Sequence, residues 1–275
     1  IVLDRVSKMF PGATRPAVHE CSLTIQTGQL VVLLGSSGSG KTTLLKMINR
    51  IYEPTSGTIY INGRDSRSIS EIELRRGIGY VIQQVGLFPH QTVAENIATV
   101  PRILGWDRRR IEERCDFLLE LMQLPPDQYR HRRPRQLSGG QQQRVGIARA
   151  LAADPPILLM DEPFGALDNI TRTALQDELL RIQAQMKKTI IFVTHDVEEA
   201  LKLADLIVVM KDGRIEQSGT AMELLYRPAT SFVRQLLGAD DLLQRLSVVP
   251  VSRVMRPAAA AGDAAGHGAV TAGTA

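Results

Sequence analysis

Cysteine is scarce in this 275-residue chain, with only Cys21 and Cys115, far apart and without CxxC spacing. That excludes a disulfide framework and a cysteine zinc site and suits a reducing compartment. Long hydrophobic runs are missing as well. No stretch approaches eighteen apolar residues, so none is expected to cross a bilayer, and no signal peptide is evident. Strong charge is absent: the formal net charge is +4. Arginines gather in "WDRRRIEER" and "YRHRRPRQ", which read as solvated faces and not as a nucleic-acid patch. There is no internal repeat. The chain opens on Ile1, not methionine, so a few preceding residues are expected to be missing. At this length, with 44% hydrophobic residues, the chain can bury a sizeable core.

What is present is an alternation of strand and helix patterns. Residues 1–30 alternate apolar and polar around "PGATRP" and predict short antiparallel strands; "SGTIYINGRD" predicts a hairpin strand and "GIGYVIQQ" a buried one. Residues 92–152 turn helical. "PPILLMDEP" and "KTIIFVTHD" are near-continuous apolar strands of a covered parallel sheet, and "LIVVMKDGRIEQSG" predicts a last hairpin. The order predicts an α/β core with an inserted helical subdomain at about residues 85–152. After residue 237 the character changes: residues 238–256 predict a short helix and strand. Residues 257–275 hold nine Ala and four Gly, too little apolar surface to offset the entropy of ordering, and are expected to be disordered.

Four stretches carry chemistry. "GSSGSGKT", Gly35–Thr42, lies between a predicted strand and helix as the phosphate-binding pattern requires. Gly35, Ser36, Ser37, Gly38, Ser39 and Gly40 let backbone N–H groups approach an anion, Lys41 reaches phosphates, and the Thr42 hydroxyl ligates Mg²⁺, with Thr43 following on the helix. The plain alternative is a glycine-rich turn with a surface lysine. "ILLMDEP" places Asp161 at the sheet edge for the Mg²⁺ shell and Glu162 as a general base; alternatively both acids merely cap a strand. His195, after another apolar strand, can reach a γ-phosphate or be structural. Gln83 in "YVIQQVG" ends a strand and can sense Mg²⁺ or the attacking water; Gln84 beside it is the alternative, and Gln83 is favoured. "RQLSGGQQQR" has no acid or base, so it does no proton chemistry alone.

In this order the pieces resemble the ATP-binding cassette (ABC) ATPases, specifically the nucleotide-binding subunit of a bacterial importer, over residues 1–237. The matching motifs are the Walker A loop at Gly35–Thr42, the Q-loop Gln83, the signature "LSGGQ" at Leu137–Gln141, Walker B at "ILLMDEP", the D-loop "GALD" at Gly165–Asp168, and the switch His195. The resemblance implies a P-loop NTPase (RecA-like) core with an antiparallel β-subdomain, and ATP and Mg²⁺ as cofactors. It also implies a head-to-tail dimer in which Ser138, Gly139, Gly140 and Gln141 face the partner's γ-phosphate and Asp168 joins the interface. Phe10 stands where the family has tyrosine and would stack on adenine, or is simply core. Gly165 replaces the serine many relatives carry, which removes one hydroxyl contact.

"QQVGLFPHQTVAEN", with Val85, Leu87, Phe88 and His90, implies a groove for the permease's coupling helix. That places the subunit peripherally on the cytoplasmic face of the plasma (inner) membrane, with an extracytoplasmic solute-binding protein as an indirect partner and no nucleic acid. Its wording, with "FGALDNITR" and "LLQRLSVVPVSRVM", is similar to the glycine betaine, carnitine, choline and proline uptake subfamily. Another small solute such as an amino acid is the alternative. Residues 238–256 resemble the lead-in to a CBS pair that the Ala/Gly tail replaces, so ionic-strength sensing is not expected. DNA-repair relatives insert long coiled coils before the signature, whereas Thr42 and Leu137 here lie 95 positions apart. Translation-factor relatives carry two cassettes, and an inactive scaffold would not need Glu162 and His195.

Overall fold

The computed structural model describes residues 1–83, 86–165 and 167–248. The chain starts with β1 (Val2–Lys8) and β2 (Val18–Thr24), then β3 (Leu30–Leu34), α1 (Lys41–Ile48), β4 (Ser56–Ile61), β5 (Arg64–Asp65), α2 (Glu71–Arg76) and β6 (Ile78–Val81). Five helices follow: α3 (Val93–Ile97), α4 (Thr99–Ile103), α5 (Arg108–Leu121), α6 (Pro126–Tyr129) and α7 (Gly139–Leu151). The chain then runs through β7 (Ile157–Asp161), α8 (Asn169–Met186), β8 (Thr189–Thr194), α9 (Val197–Leu203), β9 (Leu206–Lys211) and β10 (Arg214–Gly219). It ends with α10 (Ala221–Tyr226), α11 (Ser231–Leu236) and α12 (Leu242–Ser247).

Two sheets result. One is antiparallel, in the order β2-β1-β4-β5; the other runs β10-β9-β3-β8-β7-β6 and is parallel except for the β9–β10 hairpin. Every residue of β3, β7 and β8 is buried. Because successive side chains point to opposite faces, these apolar runs feed two cores. Val31, Leu33, Leu159, Ile191 and Val193 pack toward α1 and the antiparallel sheet, with Leu44, Met47, Leu3 and Ile59. Val32, Leu34, Met160, Ile190 and Phe192 pack toward the helices, with Ile97, Leu118, Val145, Leu179 and Leu224. Helix–sheet–sheet layering thus covers the central strands on both faces, which is why their sequences do not alternate. This is the α/β architecture expected.

Parallel register fixes the site. Leu34 pairs with Thr194, Asp161 with Val193, and Val81 with Met160, so the C-terminal ends of β3, β8, β7 and β6 share one edge. Two readings shift. β6 ends at Val81, so Gln83 lies two residues beyond the strand and not at its end. The sequence pattern above does not assign α2, α8, α9, α10 and α11, although Ser70 caps α2 and a reciprocal Thr220–Glu223 capping box opens α10. The charged helix α5 is solvated, as expected, with Arg108–Glu112 and Arg109–Glu113 pairs one turn apart. Both thiols are buried and unpaired in any disulfide, and burial pushes the Cys115 thiol up to about 11. The strand expected within 238–256 and the expected disordered tail at 257–275 lie outside the described residues except for α12.

Candidate functional site

The loop from Gly35 to Gly40 leaves β3 and enters α1. Gly40 has φ +100°, and a Cβ there would stand 2.4 Å from the Ala17 carbonyl oxygen; at Gly35 (φ +158°) it would stand 2.3 Å from that of Met210. Only glycine passes at these two points, which are walled by the backbone of the neighbouring strand ends. Ser36, Ser37 and Gly38 form the exposed crest, while Ser39 is buried. The Ser39 backbone is pinned by its own N–H to Ser36 O (3.2 Å) and by the Gly213 N–H (3.1 Å).

Lys41 is buried and folds back over the loop. Its Nζ donates to Gly35 O at 2.7 Å and Ser36 O at 2.8 Å. Burial pulls its pKa down from the ordinary lysine value, opposed by the carboxylates of Glu162 and Asp161. Thr42 and Thr43 are half-buried in the first turn of α1. Thr42 Oγ1 donates to Asp161 Oδ1 at 2.8 Å, joining the end of β7 to the loop after β3. Burial raises the Asp161 carboxyl, and the Thr42 hydrogen bond and nearby lysines oppose that rise.

Glu162 follows with φ +44°, its N–H on Val193 O at 3.0 Å. A positive φ is uncommon for a residue other than glycine. Gln83 Nε2 donates to Glu162 Oε2 at 3.3 Å, and His195 Nδ1 lies 3.3 Å from the same oxygen. The imidazole is mostly exposed, whereas Glu162 is half-buried. Lys41, Thr42, Asp161, Glu162, Gln83 and His195 therefore converge on one sheet edge from four strands.

The remaining expected residues lie elsewhere. Ser138 caps α7 in a reciprocal capping box: Gln141 N–H donates to Ser138 Oγ at 3.3 Å, and Ser138 N–H to Gln141 Oε1 at 3.0 Å. Gln141 Nε2 also reaches Tyr129 OH. These polar groups serve one another and not the Gly35–Thr42 loop. The two glycines instead face the start of α8 and the residue run leading into it: a Cβ on Gly139 would lie 3.9 Å from Leu167, and one on Gly140 2.4 Å from Thr171 Cγ2. Asp168 caps α8 by accepting the Thr171 N–H, which holds its carboxyl below the ordinary range. Phe10 is half-buried edge-on to Tyr52 (5.2 Å, 87°), with Lys8 over both rings.

Several residues escaped sequence reading. Tyr80 on β6 is half-buried near Asp161, and burial first, then that carboxylate, push its phenol up. Tyr52 became visible only as the partner of Phe10. Arg172 and Glu199 sit beneath His195 with no sequence signal beyond their type. A groove of about 380 Å³ runs beside β6, lined by Arg75, Tyr80, Gly86, Phe88, Val100 and Arg149. Phe88 is exposed at its rim near His90, Leu87 is half-buried, and Val85 lies outside the described residues.

The donor set suits a hard cation. Thr42 and Asp161 bring two oxygens together, with the Gln83 amide nearby. Mg²⁺ ordinarily keeps waters and substrate phosphates and does not use an all-protein cage. That fits the absence, among the described residues, of any group of three acid, histidine or cysteine ligands.

Residues 18–165 match the family described as ABC transporter. The chain is 49% identical over 257 residues to the osmoprotectant import ATP-binding protein OsmV of Salmonella typhimurium, covering 92% of this chain and 67% of that protein. It is 52% identical to the glycine betaine/carnitine/choline transport ATP-binding protein OpuCA of Bacillus subtilis (88% and 63%). It is 54% identical to the glycine betaine uptake system ATP-binding protein YehX of Escherichia coli (90% and 79%). The chain thus spans about two thirds of the length of such relatives. Among solved structures, a dimeric ATP-binding cassette in a post-hydrolysis state bound to ADP and Pi is 36% identical. It superposes with a TM-score of 0.71 over 80% of this chain and 97% of that one.

Proposed function

The chain belongs to the ABC transporter family, and on that premise we propose that it is the ATP-hydrolysing subunit of an importer, working as a head-to-tail pair with a second copy. The cargo proposed is a compatible solute of the glycine betaine, choline, carnitine or proline type, as in the names of its relatives. One observation carries the catalytic part: Glu162 sits at a shared sheet edge with Lys41 and the Thr42–Asp161 pair, held by Gln83 and His195.

In this reading the loop N–H groups and Lys41 bind the β- and γ-phosphates, while Thr42, Asp161 and Gln83 hold Mg²⁺. When bound, that ion neutralises charge on the phosphate oxygens. Glu162 takes a proton from a water whose oxygen attacks the γ-phosphorus, and the bridging oxygen leaves with ADP. His195 and Gln83 orient Glu162 and the water. Phe10 stacks on the adenine.

Ser138 Oγ already accepts the Gln141 N–H, but a hydroxyl keeps its own proton to donate. Capping and phosphate binding therefore use different parts of one group. With the N–H groups of Gly139 and Gly140 at the positive end of a 13-residue helix, it offers an anion site for the partner's γ-phosphate. Asp168 lies on the neighbouring segment of the same interface. The groove at Tyr80, Phe88 and Arg149 receives the permease segment from the cytoplasmic side of the inner membrane, and the solute-binding protein acts through the permease. No helix among the described residues is long and apolar enough to cross the membrane itself.

Removing a positioned base lowers turnover by about 10²–10⁴-fold. Glu162→Gln should lose that much ATPase rate while still binding ATP; near-normal turnover would remove Glu162 from the role. Stimulation of the reconstituted transporter by an amino-acid-loaded binding protein and not by a betaine-loaded one would overturn the choice of cargo.

A further inference from the structure

Beneath His195 and Glu162 lies a polar cavity of about 40 Å³, walled by Gly165, Arg172, Thr194, Asp196 and Glu199 as well. Arg172, in the first turn of α8, is its hub. One guanidinium nitrogen donates to the Leu167 carbonyl at 3.2 Å, inside the segment that ends at Asp168. A second donates to Asp196 Oδ2 at 3.3 Å, one residue past His195. Nε lies 3.8 Å from Glu199 Oε1.

Both acceptor carboxylates are themselves fixed. Asp196 caps α9 through the N–H groups of Glu198 and Glu199. Glu199 is buried and takes the Thr194 hydroxyl at 2.6 Å and the Gln176 amide at 3.4 Å. Thr194 Oγ1 in turn accepts the Asp196 N–H.

A side chain hydrogen-bonded to acceptors on two different segments, with a third carboxylate at ion-pair distance, is a strut between them. One segment, at Leu167 and Asp168, would meet the second copy of the chain; the other carries His195. We propose that Arg172 is a positioning residue that sets His195 against Glu162 according to where Leu167 and Asp168 lie, so that arrival of the second copy is felt at the catalytic base. The inference rests on the functional reading above. Arg172 touches neither nucleotide nor water in it and acts through Asp196. A planar fork holds the Leu167 carbonyl and Asp196 together, whereas a lysine ammonium on a flexible stem keeps the charge beside Asp196 but reproduces the two-point link only in part.

The experiment uses the full purified chain. ATP binding to single chains, ATP-dependent pairing (in a Glu162→Gln background) and steady-state turnover are measured for wild type, Arg172→Gln, Arg172→Lys, Asp196→Asn and the Arg172→Gln/Asp196→Asn double variant. Asparagine caps helices about as well as aspartate, so Asp196→Asn cuts the link while sparing α9 and stands in if Arg172→Gln folds poorly. The expected result is a fall in kcat of roughly 10- to 100-fold, the cost of misplacing a reacting group by about 1 Å, with KM, binding and pairing within twofold and partial recovery in Arg172→Lys. The double variant should be no slower than the worse single one, because both break one link. Unchanged kcat in Arg172→Gln or Asp196→Asn, or fully additive losses in the double variant, would overturn the strut alone. A wild-type chain that bound no ATP would overturn the functional reading, and the strut with it.

Discussion

Replacing Ser138 by aspartate separates two duties that one hydroxyl performs. In the structure Ser138 caps α7, accepting the Gln141 N–H at 3.3 Å while Gln141 closes the box at 3.0 Å. The rest of α7 is anchored by buried Val145, Ile147, Ala148 and Leu151, so only its first turn depends on the cap. Ser138→Ala should therefore cost about 1 kcal/mol, lowering the melting midpoint by about 2–4 °C for a chain of this size. Ser138→Asp keeps the cap and adds a negative charge that suits a helix N-terminus, so the midpoint should hold or rise slightly. Toward a partner's γ-phosphate the same charge is repulsive. At ~4 Å and an effective dielectric of ~20 the penalty is about 4 kcal/mol at each site, so about 8 kcal/mol over the two sites of a pair and roughly a millionfold in the pairing constant. Calorimetry supplies the midpoints. Sedimentation of the chain with ATP, in the Glu162→Gln background, supplies the pairing. Stable folding with lost pairing is the expected signature of Ser138→Asp. If that variant pairs at the same ATP concentration as its parent, the signature segment does not face a phosphate and the reading fails.

Asp161→Asn should stabilise the protein without nucleotide at neutral pH. Burial raises the Asp161 carboxyl, so the folded chain favours its protonated form more than the unfolded chain does. The ionised group then costs stability as pH rises past the ordinary aspartate value, in full above its raised value, and that cost fades as pH falls. Melting curves of the two proteins should converge near about pH 4, the ordinary aspartate range, and separate in favour of asparagine at higher pH; a less stable asparagine variant at neutral pH would contradict this. Gly140→Ala tests the seam between α7 and α8, where the added Cβ would meet Thr171 Cγ2 at 2.4 Å. Overpacking of this kind costs about 1–3 kcal/mol, and Thr171→Ser removes the offending methyl. The helix-propensity gain of alanine is the same in either background. Denaturant titration should therefore show Gly140→Ala costing more with Thr171 than with serine there, and equal costs would refute the contact.

Much of this is legible in the sequence alone. A Gly/Ser loop between an apolar strand and a helix fixes its own backbone, because small residues and a helix start leave few alternatives. The strands "ILLMD" and "TIIFVT" declared a doubly covered sheet by failing to alternate, and the acid or histidine at each end then had to share an edge. Short helices were harder to see. α2 and α10 span six residues each, too few for an apolar period, although their Ser/Thr–Glu caps were in plain view. Gln83 was placed at a strand end, but β6 stops at Val81, since apolar character continued past the point where the ladder breaks. The pairing of Phe10 with Tyr52 and the links of Arg172 to Asp196 and Glu199 join residues 24 or more positions apart. The first exists only because the loop after β1 meets the loop after α1, the others only because α8 packs beside α9, and no local pattern announces them.

The posture of Lys41 bears on how the nucleotide is welcomed. Its ammonium has already exchanged bulk water for two main-chain oxygens of its own loop, at 2.7 and 2.8 Å. A triphosphate arriving there swaps one set of oxygens for a more negative set, with little hydration left to strip from the cation. Folding has thus done in advance the costliest part of docking a highly charged guest, and occupancy should tighten the whole cassette.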